Sequence, residues 1–169
     1  PIPPKPAVTA PTPVPEDATL VTVTASSEET GKNNLSWHAI DGNRETRWCA
    51  ADGTMPQWIE LRFEKPQHIT GAKIIWESGG NSYRYQIEVS GDGKTWQPVV
   101  SAGDNNPPGD SSASFEAKDA KFLKLTCLGT RTGGWASIRE ISLSGPTLTK
   151  LHPKLDGKQE SSAKASAAA

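Results

Sequence analysis

Gln57-Trp58-Ile59-Glu60-Leu61-Arg62-Phe63 places Ile59, Leu61 and Phe63 on one face and Trp58, Glu60 and Arg62 on the other. Successive side chains of a strand point to opposite sides, so this period of two predicts a half-buried β-strand, ended by Lys65-Pro66. Similar stretches lie on either side. Leu20-Val21-Thr22-Val23-Thr24-Ala25 is rich in β-branched residues and reads as the first strand. A further strand is expected over residues 69–76. After it, Tyr83, Tyr85, Ile87 and Val89 alternate with Arg84, Gln86 and Glu88. Gly91-Asp92-Gly93-Lys94 then forms a hairpin turn before Trp96, and Val99-Val100 is a short strand. Residues 101–114 read as a long surface loop, residues 115–117 as an edge strand, and Phe122-Leu123-Lys124-Leu125-Thr126-Cys127-Leu128 as a strong strand. A last strand over residues 137–143 stops at Gly145-Pro146. No segment keeps a helical period. Short strands separated by turn signals define an all-β sandwich or barrel. Its core draws on Val21, Val23, Ile40, Ile59, Leu61, Ile74, Ile87, Val89, Leu123, Leu125, Ile138 and Ile141.

The chain of 169 residues suits one domain, expected over residues 18–146, with tails. Residues 1–17 contain seven prolines, a density that favours extended polyproline conformations and excludes a core, so they read as a linker. The opening Pro1-Ile2-Pro3-Pro4 has the look of the interior of a longer protein. Residues 147–169 read as a C-terminal linker or tail, ending in small residues with little to bury. A formal net charge of -1 argues against a nucleic-acid partner, and no apolar run is long enough for a transmembrane segment. Cys49 and Cys127 form no Cys-x-x-Cys pair; they fit either two buried thiols or one disulfide. The three histidines pair with no nucleophile motif, and no nucleophile elbow or phosphate loop is present, so no enzyme is expected.

Ala39-Ile40-Asp41-Gly42-Asn43-Arg44-Glu45-Thr46-Arg47-Trp48 sets Asp41, Asn43 and Thr46 around a glycine. A tight turn of this composition can aim several oxygens at one centre, as a hard cation such as calcium requires. It can equally be an Asx turn in a solvated loop. The acidic spacing of an EF-hand is absent.

Several pieces fall in a familiar order: Ser27-Glu28-Glu29-Thr30, Ala39-Ile40-Asp41-Gly42 with Thr46 and Trp48, Gln57-Trp58-Ile59, Tyr85-Gln86-Ile87-Glu88-Val89-Ser90-Gly91-Asp92-Gly93 with Trp96, Phe122-Leu123-Lys124-Leu125, and Trp135-Ala136-Ser137-Ile138-Arg139-Glu140-Ile141. Together they resemble a coagulation factor V/VIII type C (discoidin) domain, and within that group carbohydrate-binding module family 32. The resemblance implies a jelly-roll, galactose-binding-domain-like β-sandwich with a structural Ca2+. The metal would take the Asp41 carboxylate, Asn43, the hydroxyl and backbone oxygen of Thr46, the backbone oxygen of His38 and the Glu140 carboxylate. It also implies a glycan site on loops at one end, with Glu29 and Asn81 as polar ligands and Trp135 stacking on a sugar ring. Two positions depart from the family pattern. Cys49 stands where the family has a sugar-binding histidine, and Trp76-Glu77 where it has an arginine. Both replaced residues donate hydrogen bonds, so the family's usual galactose specificity is not expected.

Trp48, Trp58 and Trp96 read as core residues, Trp37 as packing over the cation turn, and Trp76 as either core or a wall of the ligand site. Glu77 reads as a polar ligand or a solvated loop charge, and Arg131 and Arg139 as solvated, with an acidic glycan as the alternative. The sequence thus points to a non-catalytic module that targets a larger extracellular, periplasmic or cell-surface protein to a glycan or polysaccharide. The alternative is a protein-interaction, adhesion or spacer domain of the same fold, contacting other domains of its parent.

Overall fold

The computed structural model describes residues 14–155, so most of the proline-rich linker and the small-residue end of the tail lie outside the described residues. Eight strands form the domain: β1 (Thr19–Ala25), β2 (Trp48–Cys49), β3 (Gln57–Trp76), β4 (Tyr83–Ser90), β5 (Gln97–Ala102), β6 (Ser111–Thr130), β7 (Ser137–Ser144) and β8 (Leu151–Pro153). Two short 3₁₀ turns, Thr30–Lys32 and Ser36–Ile40, fill the connection between β1 and β2. Among the described residues no helix is long and apolar enough to cross a membrane.

β3 and β6 each run through both layers of the sandwich. The first half of β3 pairs with β1 (Val23↔Leu61) and with the second half of β6 (Ile59↔Leu125). Its second half pairs with β7 (Ile74↔Ile141) and with the start of β6 (Ile74↔Ser111). The turnover falls where the β3–β6 register shifts between Arg62 and Gln67. Lys65-Pro66 sits in that shift. The strand therefore bends at this point instead of ending, because a proline is tolerated where no ladder bond is required of it. The expected edge strand at residues 115–117 and the strand at 122–128 are likewise one strand. β6 bends near Asp119, which takes a left-handed φ of 54°.

Every residue expected in the core is buried, from Val21 and Ile59 to Ile138 and Ile141. Trp48 is fully buried, but Trp58 and Trp96 are not core residues. They lie half-buried on the outer face, where the Lys124 ammonium sits 5.2 Å from the Trp58 ring and 4.4 Å from the Trp96 ring. Trp58 follows its own alternation: Ile59 points in, so Trp58 points out, and the lysine stem and charge cover the exposed rings. Residues after Gly145-Pro146 also join the fold. β8 lies parallel to β1, with Thr19↔Leu151 and Val21↔Pro153, and Leu148, Leu151 and Leu155 pack against the core.

The strand directions gather the loops 26–47, 50–56, 77–82, 103–110 and 131–136 at one end of the sandwich. The bend of β3, the Gly91-Asp92-Gly93 hairpin and the chain entering β1 lie at the other.

Candidate binding site at the loop end

Trp135 is the one tryptophan among the described residues classed as exposed, at 42%. Its position is built by glycines. Gly133 (φ +79°) and Gly134 (φ +125°) take conformations that disfavour a side chain, and they turn the chain so that Trp135 faces outward before Ala136 re-enters the core. On one side the indole lies against Gly53: a Cβ there would come 3.1 Å from Cδ1 and 3.2 Å from Nε1. The indole is thus braced by backbone while much of its surface faces solvent.

The other expected ligand residues surround this platform in different ways. Asn81 is buried, and its amide is occupied. Nδ2 donates to the Gly133 carbonyl at 3.2 Å, and Oδ1 accepts from Ser82 N at 2.9 Å and Thr132 N at 3.3 Å. It fastens the Trp135 loop. Trp76 does not wall the site. It is buried, stacks on Tyr83 at 4.1 Å between ring centroids, and donates from Nε1 to Ser111 Oγ at 2.9 Å. Glu77 remains about a third exposed and pairs with Arg47 at 3.5 Å. Glu29 accepts from Asn34 Nδ2 at 2.7 Å and meets Lys32 at 3.4 Å; the Asn34 bond, then Lys32, hold its carboxyl below the usual range. The Glu29 backbone N–H donates to the Cys49 carbonyl at 2.8 Å, which ties this loop to β2. Cys49 and Cys127 are both buried and free, and burial raises both thiols, Cys127 to about 11.

The Ala39–Trp48 stretch is a turn locked by its own side chains. Asp41 Oδ1 accepts from Asn43 N at 2.9 Å, Asp41 Oδ2 from Thr46 Oγ1 at 2.6 Å, and Asn43 Oδ1 from Glu45 N at 3.0 Å. Glu140 reaches the turn from β7, where its Oε1 accepts from Gly42 N at 3.3 Å. Burial, and then the Asp41 charge, push the Glu140 carboxyl up to about 7, and burial also raises Asp41. Glu140 Oε2 is buried with no hydrogen-bond partner. Two facing carboxylates with an unpartnered oxygen, next to Asn and Thr oxygens, are a donor set that fits a hard cation. Arg139 also meets this turn: its Nη1 donates to the Arg44 carbonyl at 3.0 Å. Trp37 and His38 lie buried on the 3₁₀ turn that leads into Asp41, edge to face at 4.1 Å.

One feature of the loop end was not legible in the sequence. A cleft of about 600 Å³ opens beside the 131–134 segment, with Arg84, Asp104, Asn105 and Arg131 on its walls. Arg84 reads as the solvated face of a strand and Asn105 as loop; only the fold puts them side by side.

A bent-strand β-sandwich with its loops gathered at one end and a braced, exposed tryptophan among them defines the class: a discoidin-like binding module. The chain belongs to the F5/8 type C domain family, matched over residues 22–141. A curated relative, a sialidase from Micromonospora viridifaciens, is 28% identical over 141 residues, 77% of this chain. The match covers 22% of that relative, so the chain corresponds to about a fifth of its length. Solved structures of the same fold include a pectin-binding carbohydrate-binding module (28% identity, TM-score 0.64, 81% of this chain and 97% of that one). A family 32 carbohydrate-binding module in complex with 4,5-unsaturated mannuronic acid is 27% identical (TM-score 0.63, 73% and 93%). A chitosan-binding module from a Paenibacillus sp. IK-5 chitosanase/glucanase is 31% identical (TM-score 0.64, 73% and 94%).

Proposed function

We propose that this domain is a non-catalytic glycan-binding module that holds a larger extracytoplasmic protein on a polysaccharide or glycosylated surface. The observation that carries the reading is Trp135. Its indole is presented by two glycines, braced by a third and fastened by Asn81, which is more than an incidental surface aromatic would need. The apolar C–H face of a sugar ring packs on such a platform. Glu77 and Arg47 at the rim supply acceptors and donors for its hydroxyls. Structural neighbours that bind chitosan, pectin and a mannuronate support a polysaccharide ligand, and the sialidase relative supports a place beside a carbohydrate-active enzyme.

Calcium is the cation proposed for the Asp41 turn, with Asn43, Thr46, Glu140 and the His38 carbonyl completing the oxygen set. Bound there it would tie the β1–β2 connection to β7 and supply stability and loop order, with no part in any reaction.

The test is a glycan-array screen of the domain with calcium and with chelator, using Trp135→Ala alongside. The expected result is binding to one glycan class, weakened by about tenfold or more in Trp135→Ala, equivalent to roughly 1.4 kcal/mol, with an unchanged melting temperature. A well-folded, calcium-loaded domain silent across a broad array would overturn the reading in favour of a protein-interaction domain.

A further inference from the structure

The cleft beside the Trp135 loop carries an assignment of its own. Its floor is the ends of β4 and β6, where Tyr83 pairs with Thr130 and Arg131 N donates to the Ser82 carbonyl at 2.9 Å. Its wall is fixed by Asn106, whose Nδ2 donates to the Tyr83 carbonyl at 2.9 Å and lies 3.3 Å from Ser111 Oγ. The Arg84 guanidinium rests against Gly129, where an added Cβ would come 2.7 Å from Nη2. Asp104 meets Arg84 at Nε, 3.3 Å away, in an exposed pair of the kind that water and salt readily open. Arg131 forms no ion pair among the described residues. The cleft has the volume of a small-ligand site, yet no aromatic side chain lines it. Recognition there must run through charge and hydrogen bonds, without stacking.

We propose that this cleft is a second subsite, which takes an acidic sugar unit by its carboxylate. Arginine presents a planar fork of donors that matches a carboxylate in a bidentate manner. The Arg84 fork is positioned by Gly129, and Asp104 holds its place until a ligand carboxylate replaces it. Arg131 supplies a second guanidinium from the loop that carries Trp135. Only four residue steps, at most about 14 Å of chain, separate Arg131 from Trp135. A glycan chain stacked on the indole therefore has its next units within reach of the cleft. The proposal rests on the glycan reading of Trp135 and adds a preference for carboxylated chains.

The full chain is titrated with trigalacturonate and with its methyl ester, which shares the skeleton but lacks the charges. The expected result is roughly tenfold tighter binding of the acid, with the gap closing at about 1 M salt, where charges are screened within a few ångströms. Arg84→Gln with Arg131→Gln brings acid and ester to within about twofold, chiefly by weakening the acid. Gly129→Ala, which displaces the Arg84 fork and keeps its charge, narrows the gap part of the way. Thermal melts of each variant confirm the fold. Equal binding of acid and ester, or a gap that survives the double substitution, overturns the subsite and leaves the Trp135 platform standing. If neither ligand binds, the subsite falls while the array screen still decides the Trp135 platform; if a ligand binds and Trp135→Ala changes nothing for it, the glycan reading of Trp135 fails and the subsite falls with it.

Discussion

Asn81→Ala separates two roles for a residue that the family resemblance makes a sugar ligand. In the structure its amide makes three hydrogen bonds, two accepted by Oδ1 and one donated by Nδ2; those with Gly133 and Thr132 hold the 77–82 and 131–134 loops together, and that with Ser82 N fixes the first loop itself. A net contribution of about 1 kcal/mol for each gives a ceiling near 3 kcal/mol. Water can replace part of that in a surface loop, so a loss of about 2 kcal/mol is expected. For a chain of this size the melting temperature falls by roughly 4–8 °C. Glycan affinity falls as well, by roughly tenfold, because Gly133 and Gly134 lose the anchor that presents Trp135. Asn81→Asp sharpens the test. It keeps the acceptor for Ser82 and Thr132 but turns a second oxygen toward the Gly133 carbonyl, so it also lowers both stability and affinity. Differential scanning calorimetry and isothermal titration read the two effects on the same samples. If Asn81→Ala melts with the parent protein and only binding is lost, Asn81 touches the sugar directly and the anchoring argument is wrong.

Calcium at about 100 times its dissociation constant should stabilise the domain by roughly 2.7 kcal/mol and raise its melting temperature by about 5–10 °C, reversed by chelator. Glu140→Gln should abolish that shift and, in calcium-free buffer, melt no lower than the parent, since it removes a buried charge facing Asp41. A calcium response that persists in the variant would place the ion elsewhere. The thiols of Cys49 and Cys127 are buried and raised in pKa, so iodoacetamide at pH 8 should leave the native protein unmodified. Mass spectrometry should find two alkylated cysteines once the unreduced chain is denatured; finding none would show a disulfide.

The fold was legible because the chain alternates where it forms strands. Ile59, Leu61 and Phe63, and then Tyr83, Tyr85, Ile87 and Val89, point to one core, and their polar neighbours point away. What alternation cannot register is a strand that changes layers. Lys65-Pro66 carries every mark of a stop, and only the interrupted pairing with β6 makes it a bend. β8 is three residues long and ends in proline, too short for any periodic signal; its pairing with β1 comes from tertiary contact alone. Residue type also misled where size stood in for direction. Trp58 and Trp96 read as core by their size, yet they lie on the outer face with the Lys124 ammonium over their rings. Trp76 follows Ile74 and Ile75 into the interior, and its ring nitrogen finds Ser111, the first residue of β6, in a stretch whose sequence reads as loop. At the loop end, Trp135 stood out because Gly133 and Gly134 precede it, and the Asp41 turn because its oxygens cluster in sequence. The arginine cleft is assembled from three separate segments and leaves no local pattern.

The parallel pairing of β8 with β1 bears on how the domain carries load. The chain enters β1 at the end opposite the loops and leaves β8 travelling in the same direction as β1. Tension between the flanking segments therefore pulls these two neighbours past each other along their length. Their ladder, the Thr19–Thr149 hydroxyl contact and the Lys154–Glu64 pair then resist together, as a lap joint does, and do not open one at a time like a zipper. Tension applied between the two ends of the chain is thus borne in shear by this short seam, and the loops at the far end of the sandwich lie outside its path.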